Sequence, residues 1–200
     1  MKVDKKITSG KEKEKIELEP RSWGKFPLIT PVVIITTINK EDIPNAAIKS
    51  WLMPIEGNPC LIMFACSMQH HTAKNILATK EFVVNIPNNN IAKKALITAE
   101  DYPEGIDEIK EAQLTPIPSV KVRPPSIAEC IAHIECVFRE CIKFEIGVWG
   151  NLFIGEVVYS RINREIIETP EKERYKLLDQ MFSYCIDGTM RPDKEKQKCM

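Results

Sequence analysis

Paired cysteines are missing from this chain, although cysteine itself is not. Seven are spread over 200 residues, and no two form a Cys-x-x-Cys pair. Structural zinc draws its ligands from closely spaced pairs, so the cysteines are expected to be free or buried thiols and no metal site is assigned. His133, between Cys130 and Cys136, is read the same way. Glycine is equally uninformative as a cradle: the eight glycines form neither Gly-x-Gly-x-x-Gly nor a Walker loop, so any nucleotide must be held in another way. An excess of charge is also lacking. Lys and Arg total 28 against 28 for Asp and Glu, which leaves no net field to attract nucleic acid or an anionic membrane. No apolar run approaches the roughly 18–20 residues that span a bilayer. The stretch Met1 to Glu19 alternates Lys and Glu without an apolar segment, so it is not a secretory signal, and a cytoplasmic location is expected. Finally, Glu129, Glu135 and Glu156 show no spacing suited to acid–base work; they are read as structural, and no catalytic side chain is assigned.

What is present is a series of short apolar strands. Residues 1–20 are charged and poor in aromatics and read as a flexible lead-in, with order expected from Trp23, one domain over 21–190 and a charged tail over 191–200. Pro31-Val-Val-Ile-Ile-Thr-Thr-Ile38 is rich in β-branched residues and too short for most helices, so it predicts a buried strand. Asn39 to Asp42 supplies a turn, and Asn45-Ala-Ala-Ile-Lys-Ser-Trp51 predicts its hairpin partner. After the break at Gly57-Asn-Pro59 comes a third strand, Cys60 to Cys66. The spacing then becomes helical over Thr72 to Thr79, with His71 or Thr72 placed to cap it. A strand over Glu81 to Ile86 and a short helix over Ile91 to Ala99 follow. Asp101 to Pro118 predicts a surface excursion with one helical turn. Strands are expected over 119–123, 131–144 and 148–160, the last two joined at Gly147 or Gly150, and a helix over Glu171 to Met181. Tight turns between successive strands favour an antiparallel barrel or sheet with helices at its ends.

Several segments taken in order resemble the flavin reductase-like family, including the flavoredoxins. They are Pro31 to Thr37, Asn45 to Trp51, Asn58-Pro59, His71-Thr-Ala-Lys-Asn-Ile76 and Thr79 to Pro87. The likeness continues more loosely through Gly105-Ile-Asp-Glu108, Leu114-Thr115, Pro124 to Ile127, Glu129-Cys130, Ile134-Glu-Cys136 and Ile154 to Val158, covering about residues 25–160. It implies a mainly β fold with peripheral helices, the FMN-binding split β-barrel, and a homodimer with FMN near the subunit interface.

On that resemblance, the small side chains of Asn45, Ala46 and Ala47 let backbone donors approach the flavin ring, while Ser50 and Trp51 add a hydroxyl and a wall. Cys66, Ser67, His70, His71 and Thr72 run from a strand end into a helix start, where amides favour a phosphate, and Asn75 lies one turn on. Cys66 is expected to be redox-inert. His70 stands where relatives often carry Arg or Lys. Lys49 stands where they are usually apolar, and it faces either the flavin edge or solvent. The usual C-terminal Arg- and Gly-containing motif has no clean counterpart in Phe182-Ser-Tyr-Cys-Ile-Asp-Gly-Thr189, although Tyr184 is a further lining candidate. Three roles fit these residues. One is an oxidoreductase passing electrons from NADH or NADPH through FMN to flavin, oxygen, a metal chelate or another acceptor. The second is a flavoredoxin-like carrier between redox protein partners, and the third is a flavin-binding module without turnover.

Overall fold

The structure, a computed structural model, describes Lys15, residues 28–144 and residues 150–184. The expected lead-in, apart from Lys15, the onset of order at Trp23, a turn at Gly147 and the tail lie outside the described residues. The chain opens with β1 (Ile29–Pro31), β2 (Val33–Ile38) and β3 (Pro44–Lys49), followed by β4 (Leu52–Gly57) and β5 (Cys60–Cys66). Helix α1 (His71–Thr79) leads to β6 (Glu81–Ile86), a 3-10 turn at Asn89–Ile91 and α2 (Ala92–Ile97). The excursion holds α3 (Glu108–Glu111) and β7 (Pro116–Ile117), and ends at β8 (Ser126–Ile127). Two long strands, β9 (Ala132–Ile142) and β10 (Asn151–Ile162), precede α4 (Arg164–Glu168), α5 (Glu171–Leu178) and β11 (Phe182–Tyr184).

Seven strands form one antiparallel sheet in the order β3-β2-β6-β9-β10-β5-β4. Its two edge strands, β3 and β4, are consecutive in the chain with only Ser50 and Trp51 between them. The sheet must therefore curl until its edges meet, and the Trp51 carbonyl accepts from the Ala65 amide at 2.9 Å as it does so. The chain closes the barrel there without a hydrogen-bonded ladder between β3 and β4, which is the split barrel that the sequence led us to expect.

The two faces of β2 explain its unbroken apolar run. Val33 and Ile35 point into the barrel, with Phe64, Phe82 and Phe153 and with Ala73 and Ile76 of α1. Ile34 points outward to a second core with Ala46, Ala95, Ile109 and Ile127, so both faces are covered. Phe64 meets Phe82 edge-on at 5.4 Å and stacks on Phe153 at 5.7 Å. All three rings are fully buried, each contributing roughly 1.5–3 kcal/mol by its transfer from water.

Four departures from expectation have physical causes. β4 has no counterpart in the sequence reading, which passes from Trp51 to the break at Gly57-Asn-Pro59; Pro54 stands within it, and a sheet edge tolerates a residue without an amide hydrogen. The strand expected over 119–123 is irregular because carboxylates replace a ladder: Glu135 accepts from the amides of Val120 (2.8 Å) and Lys121 (2.6 Å), and Glu81 from that of Arg123 (3.1 Å). Helix α5 stops at Leu178 because Asp179 turns to positive φ, which frees Met181 to accept from Val32. α1 takes His70 as its N-cap, without a side-chain cap, so neither His71 nor Thr72 has that role. Glu129, Glu135 and Glu156 do serve structure, the first holding Thr115 and the last pairing with Arg139.

Gly155 lies at a register shift between β9 and β10, where a Cβ would collide with the Phe82 ring and sit 3.1 Å from Cys136 Cβ. Substitution Gly155→Ala is expected to cost roughly 1–3 kcal/mol by displacing Phe82. Thermal unfolding should show a Tm several degrees lower, and an unchanged Tm would show that the core relaxes freely there.

Candidate active site at the barrel seam

Strand β3 carries the first group of site residues, and its hydrogen-bond phase decides what each can offer. The Asn39 amide donates to the Ile43 carbonyl at 3.0 Å, which sets the alternation along the β2–β3 pair. The amides of Asn45, Ala47 and Lys49 therefore point into the ladder, and those of Ala46 and Ile48 point to the outer edge. The resemblance has the small residues Asn45, Ala46 and Ala47 letting backbone donors approach a ring; of these, the Ala46 amide donates to Glu108 Oε2 at 3.1 Å, and the Ala46 side chain is in the outer core. Outward donors toward the seam thus begin at Ile48 rather than at Asn45 or Ala46.

Asn45 is the hub of a buried polar network. Its Nδ2 donates to Glu108 Oε1 at 2.6 Å, and its Oδ1 accepts from Thr37 Oγ1 at 3.1 Å and Thr72 Oγ1 at 3.4 Å. Asn75 Nδ2 donates to Thr37 Oγ1 at 3.1 Å. Asn45, Thr72 and Asn75 are thus brought together, Thr72 bonded to Asn45 directly and Asn75 through Thr37, with Glu108 holding Asn45 from the other side. His71 lines a small cleft beside them with Asn39, Pro44 and Gly105. Sequence reasoning misses Glu108 and Thr37 as site residues. The available signals are a buried polar pair, Thr36-Thr37, inside an apolar run, and the segment Gly105 to Glu108 within the resemblance.

A second group gathers where β5 runs into α1. Ser67 Oγ accepts from the Gln69 amide at 3.2 Å and the Ser67 carbonyl from the His70 amide, also at 3.2 Å, which shapes the turn. Cys66 Sγ lies 3.7 Å from His70 Nδ1. Lys49 is near enough for its charge to act on both. Burial pushes the Cys66 thiol up, more than Lys49 draws it down, so the thiol stays protonated at neutral pH. Burial, and then Lys49, hold the His70 imidazole below its ordinary value; Asp101 opposes them and His71 adds to them. Trp51 stands 42% exposed at the seam, and Ala47 and Ser50 are half-buried beside it.

The sequence profile of the flavin reductase like domain matches residues 23–181. The chain belongs to this family. An uncharacterised protein of Methanothermobacter thermautotrophicus is 35% identical to it over 137 residues, 68% of this chain; the chain spans 65% of that relative's length. Among solved structures, nitrilotriacetate monooxygenase component B from Bacillus cereus aligns with a TM-score of 0.76 at 22% identity, covering 86% of this chain and 96% of that one. Flavoredoxin of Desulfovibrio vulgaris (Miyazaki F) aligns at 0.71 and 19%, covering 86% and 93%. These two share its fold.

The donor set suits the cofactor class that the flavin reductase like family implies. A flavin has an apolar ring with a polar edge, and FMN ends in a phosphate. The seam offers the outer edge of β3, small side chains at Ala47 and Ser50, and the exposed Trp51. The turn offers Ser67, His70 and the Lys49 cation. Among the described residues, no cluster of His, Cys, Asp and Glu suits a metal ion. No described helix is long and apolar enough to cross a membrane.

His70 gives the site a testable pH signature. An anion beside it favours the charged imidazole, so FMN affinity should rise as pH falls from 7.5 toward and below the ordinary value of 6.5. The phosphate itself titrates near pH 6, so the readout is the ratio of wild type to His70→Gln across pH 5.5–8 by flavin fluorescence quenching. That ratio should grow as the pH falls; parallel profiles would show that no phosphate lies against His70.

Proposed function

We propose that this chain is an FMN-binding oxidoreductase that works as a homodimer, taking electrons from NADH or NADPH and passing them to a flavin, a metal chelate or another acceptor. The observation that carries this reading is the convergence of Lys49, Ser67 and His70 beside the outer edge of β3 in a chain of the flavin reductase like family. Bound FMN supplies the electron-accepting centre, so the protein needs no acid–base pair of its own.

The chain's residues then bind, orient and cover. Lys49 supplies a fixed positive charge to an anion at the turn, and the Ser67 hydroxyl and the first-turn amides of α1 supply donors. Ala47 and Ser50 leave room for a ring against the edge of β3. Trp51 supplies an aromatic face. Cys66, buried and protonated, packs behind the turn and takes no part in electron transfer.

The dimer reading rests on β4. Met53 and Ile55 are 53% and 38% exposed on an edge strand that follows directly on Trp51. An unpaired apolar edge invites association with another chain, and a two-fold pairing of this edge would cover it and bring a second subunit to the flavin site.

Two measurements test the reading. Purified protein mixed with FMN is expected to show a bound-flavin spectrum that bleaches on anaerobic addition of NADH or NADPH, and comparison with FAD tests the choice of flavin. Bound flavin that bleaches only with a reduced protein donor would assign the carrier role instead, and failure to bind either flavin would end the proposal. Light scattering at micromolar concentration should give twice the chain mass of 22.8 kDa, and Met53→Glu should shift it toward the monomer. A wild-type monomer would overturn the shared site.

A further inference from the structure

We infer, on the flavin reading above, that Glu108 is a positioning residue of the flavin site, fixing the outer edge of β3 relative to the start of α1. Glu108 comes from the excursion, more than 60 residues away in sequence from the strand it holds. It is 4% exposed and accepts from two donors of β3, Asn45 Nδ2 and the Ala46 amide, on the strand whose outer edge faces the seam. An ionised carboxylate offers only acceptors, so it matches that pair.

The excursion holds Glu108 firmly. The Asp107 carboxylate accepts from the amides of Ile109 and Lys110, and Ile109, Ala112 and Leu114 are buried in the outer core beside Ala46. Lys94 Nζ donates to the Gln113 carbonyl at 2.6 Å and anchors the far end.

The effect reaches α1 through one amide group. Because Glu108 takes the Nδ2 of Asn45, the Oδ1 must face the other way, toward Thr37 of β2 and Thr72 of α1. Thr72 stands in the first turn of α1, directly after His70 and His71. One carboxylate thus registers the strand that would meet the flavin ring against the turn that would hold its phosphate. Burial pushes the Glu108 carboxyl up, while its own amide, Ala46 and Asn45 draw it back.

A double-mutant cycle in the full chain tests this. Glu108→Gln offers one acceptor and one donor, so it sets a donor against one of the two N–H groups. Asn45→Asp sets two carboxylates face to face. The pair N45D/E108Q restores the match with the two roles exchanged. The introduced glutamine donates to the introduced aspartate and accepts from the Ala46 amide, while that aspartate still accepts from Thr37 and Thr72. FMN affinity, measured well below the Tm of each protein, should fall at least about tenfold in either single variant and recover to within about threefold in the double. The midpoint potential of bound FMN should shift in the singles and return in the double.

Variants with a lower Tm but wild-type FMN affinity and potential would make Glu108 merely structural and overturn the inference. So would a double variant that binds no better than the worse single. Should a single variant fail to fold, the double alone decides, since a matched pair that folds yet binds FMN poorly is also contrary to it. Wild-type protein that binds no flavin would instead sink the functional reading on which the inference rests, an outcome distinct from the others.

Discussion

Two residues, Ser50 and Trp51, separate strands that stand at opposite edges of a seven-stranded sheet. No flat sheet can satisfy that connection, so curvature is imposed by the covalent chain before any side chain contributes. The rest of the molecule follows from closing the sheet without zipping its seam. The interior fills with aromatic rings, and α1 packs Ala73 and Ile76 against them. The unzipped seam leaves β3 with outward amides and β4 with an exposed apolar edge. These are the features on which the flavin and dimer proposals rest.

Burial of polar groups is the second constraint. Asn45, Thr37, Thr72 and Glu108 are all buried beside the seam, and leaving any one unpaired would cost about 1–3 kcal/mol. The structure answers with a network in which the donors and acceptors named above find partners. His133 shows the same logic elsewhere. Arg161 Nε donates to its Nδ1 at 3.2 Å, which leaves Nε2 to donate to the Ile127 carbonyl at 2.7 Å and fixes a neutral ring. Burial accordingly holds this imidazole below its ordinary value, and Arg161 adds to the effect.

The sequence made the fold legible wherever apolar residues alternate or run together. Cys60–Cys66 and Glu81–Ile86 have the bounds expected, and the long β9–β10 pair lies within a residue or two of the extents expected at most of its ends. It failed where backbone donors are satisfied by distant side chains, because no local pattern reports a partner such as Glu135 for Val120 or Glu81 for Arg123. The candidate site was legible in its elements and not in its contacts. The residues expected at the site separate into the Asn45–Thr72–Asn75 network and the Lys49–Cys66–His70 cluster. The Asn39–Ile43 bond sets the strand phase that turns the Ala46 amide outward, and the partner it meets there, Glu108, comes from a segment that the sequence placed in an excursion and only loosely within the resemblance.

The order in which the strands pair sets the order in which the molecule can assemble. β5 and β6 lie in the first half of the chain, but they find their inner partners in β10 and β9, in the second half. During synthesis the β3-β2-β6 unit and the β4–β5 hairpin must therefore wait, with the edges of β6 and β5 open, until β9 and β10 have left the ribosome. Long-range pairing of this kind folds slowly. A nascent chain of this protein passes through a stretch of translation in which apolar edges are bare, and in that interval a chaperone has the most to protect.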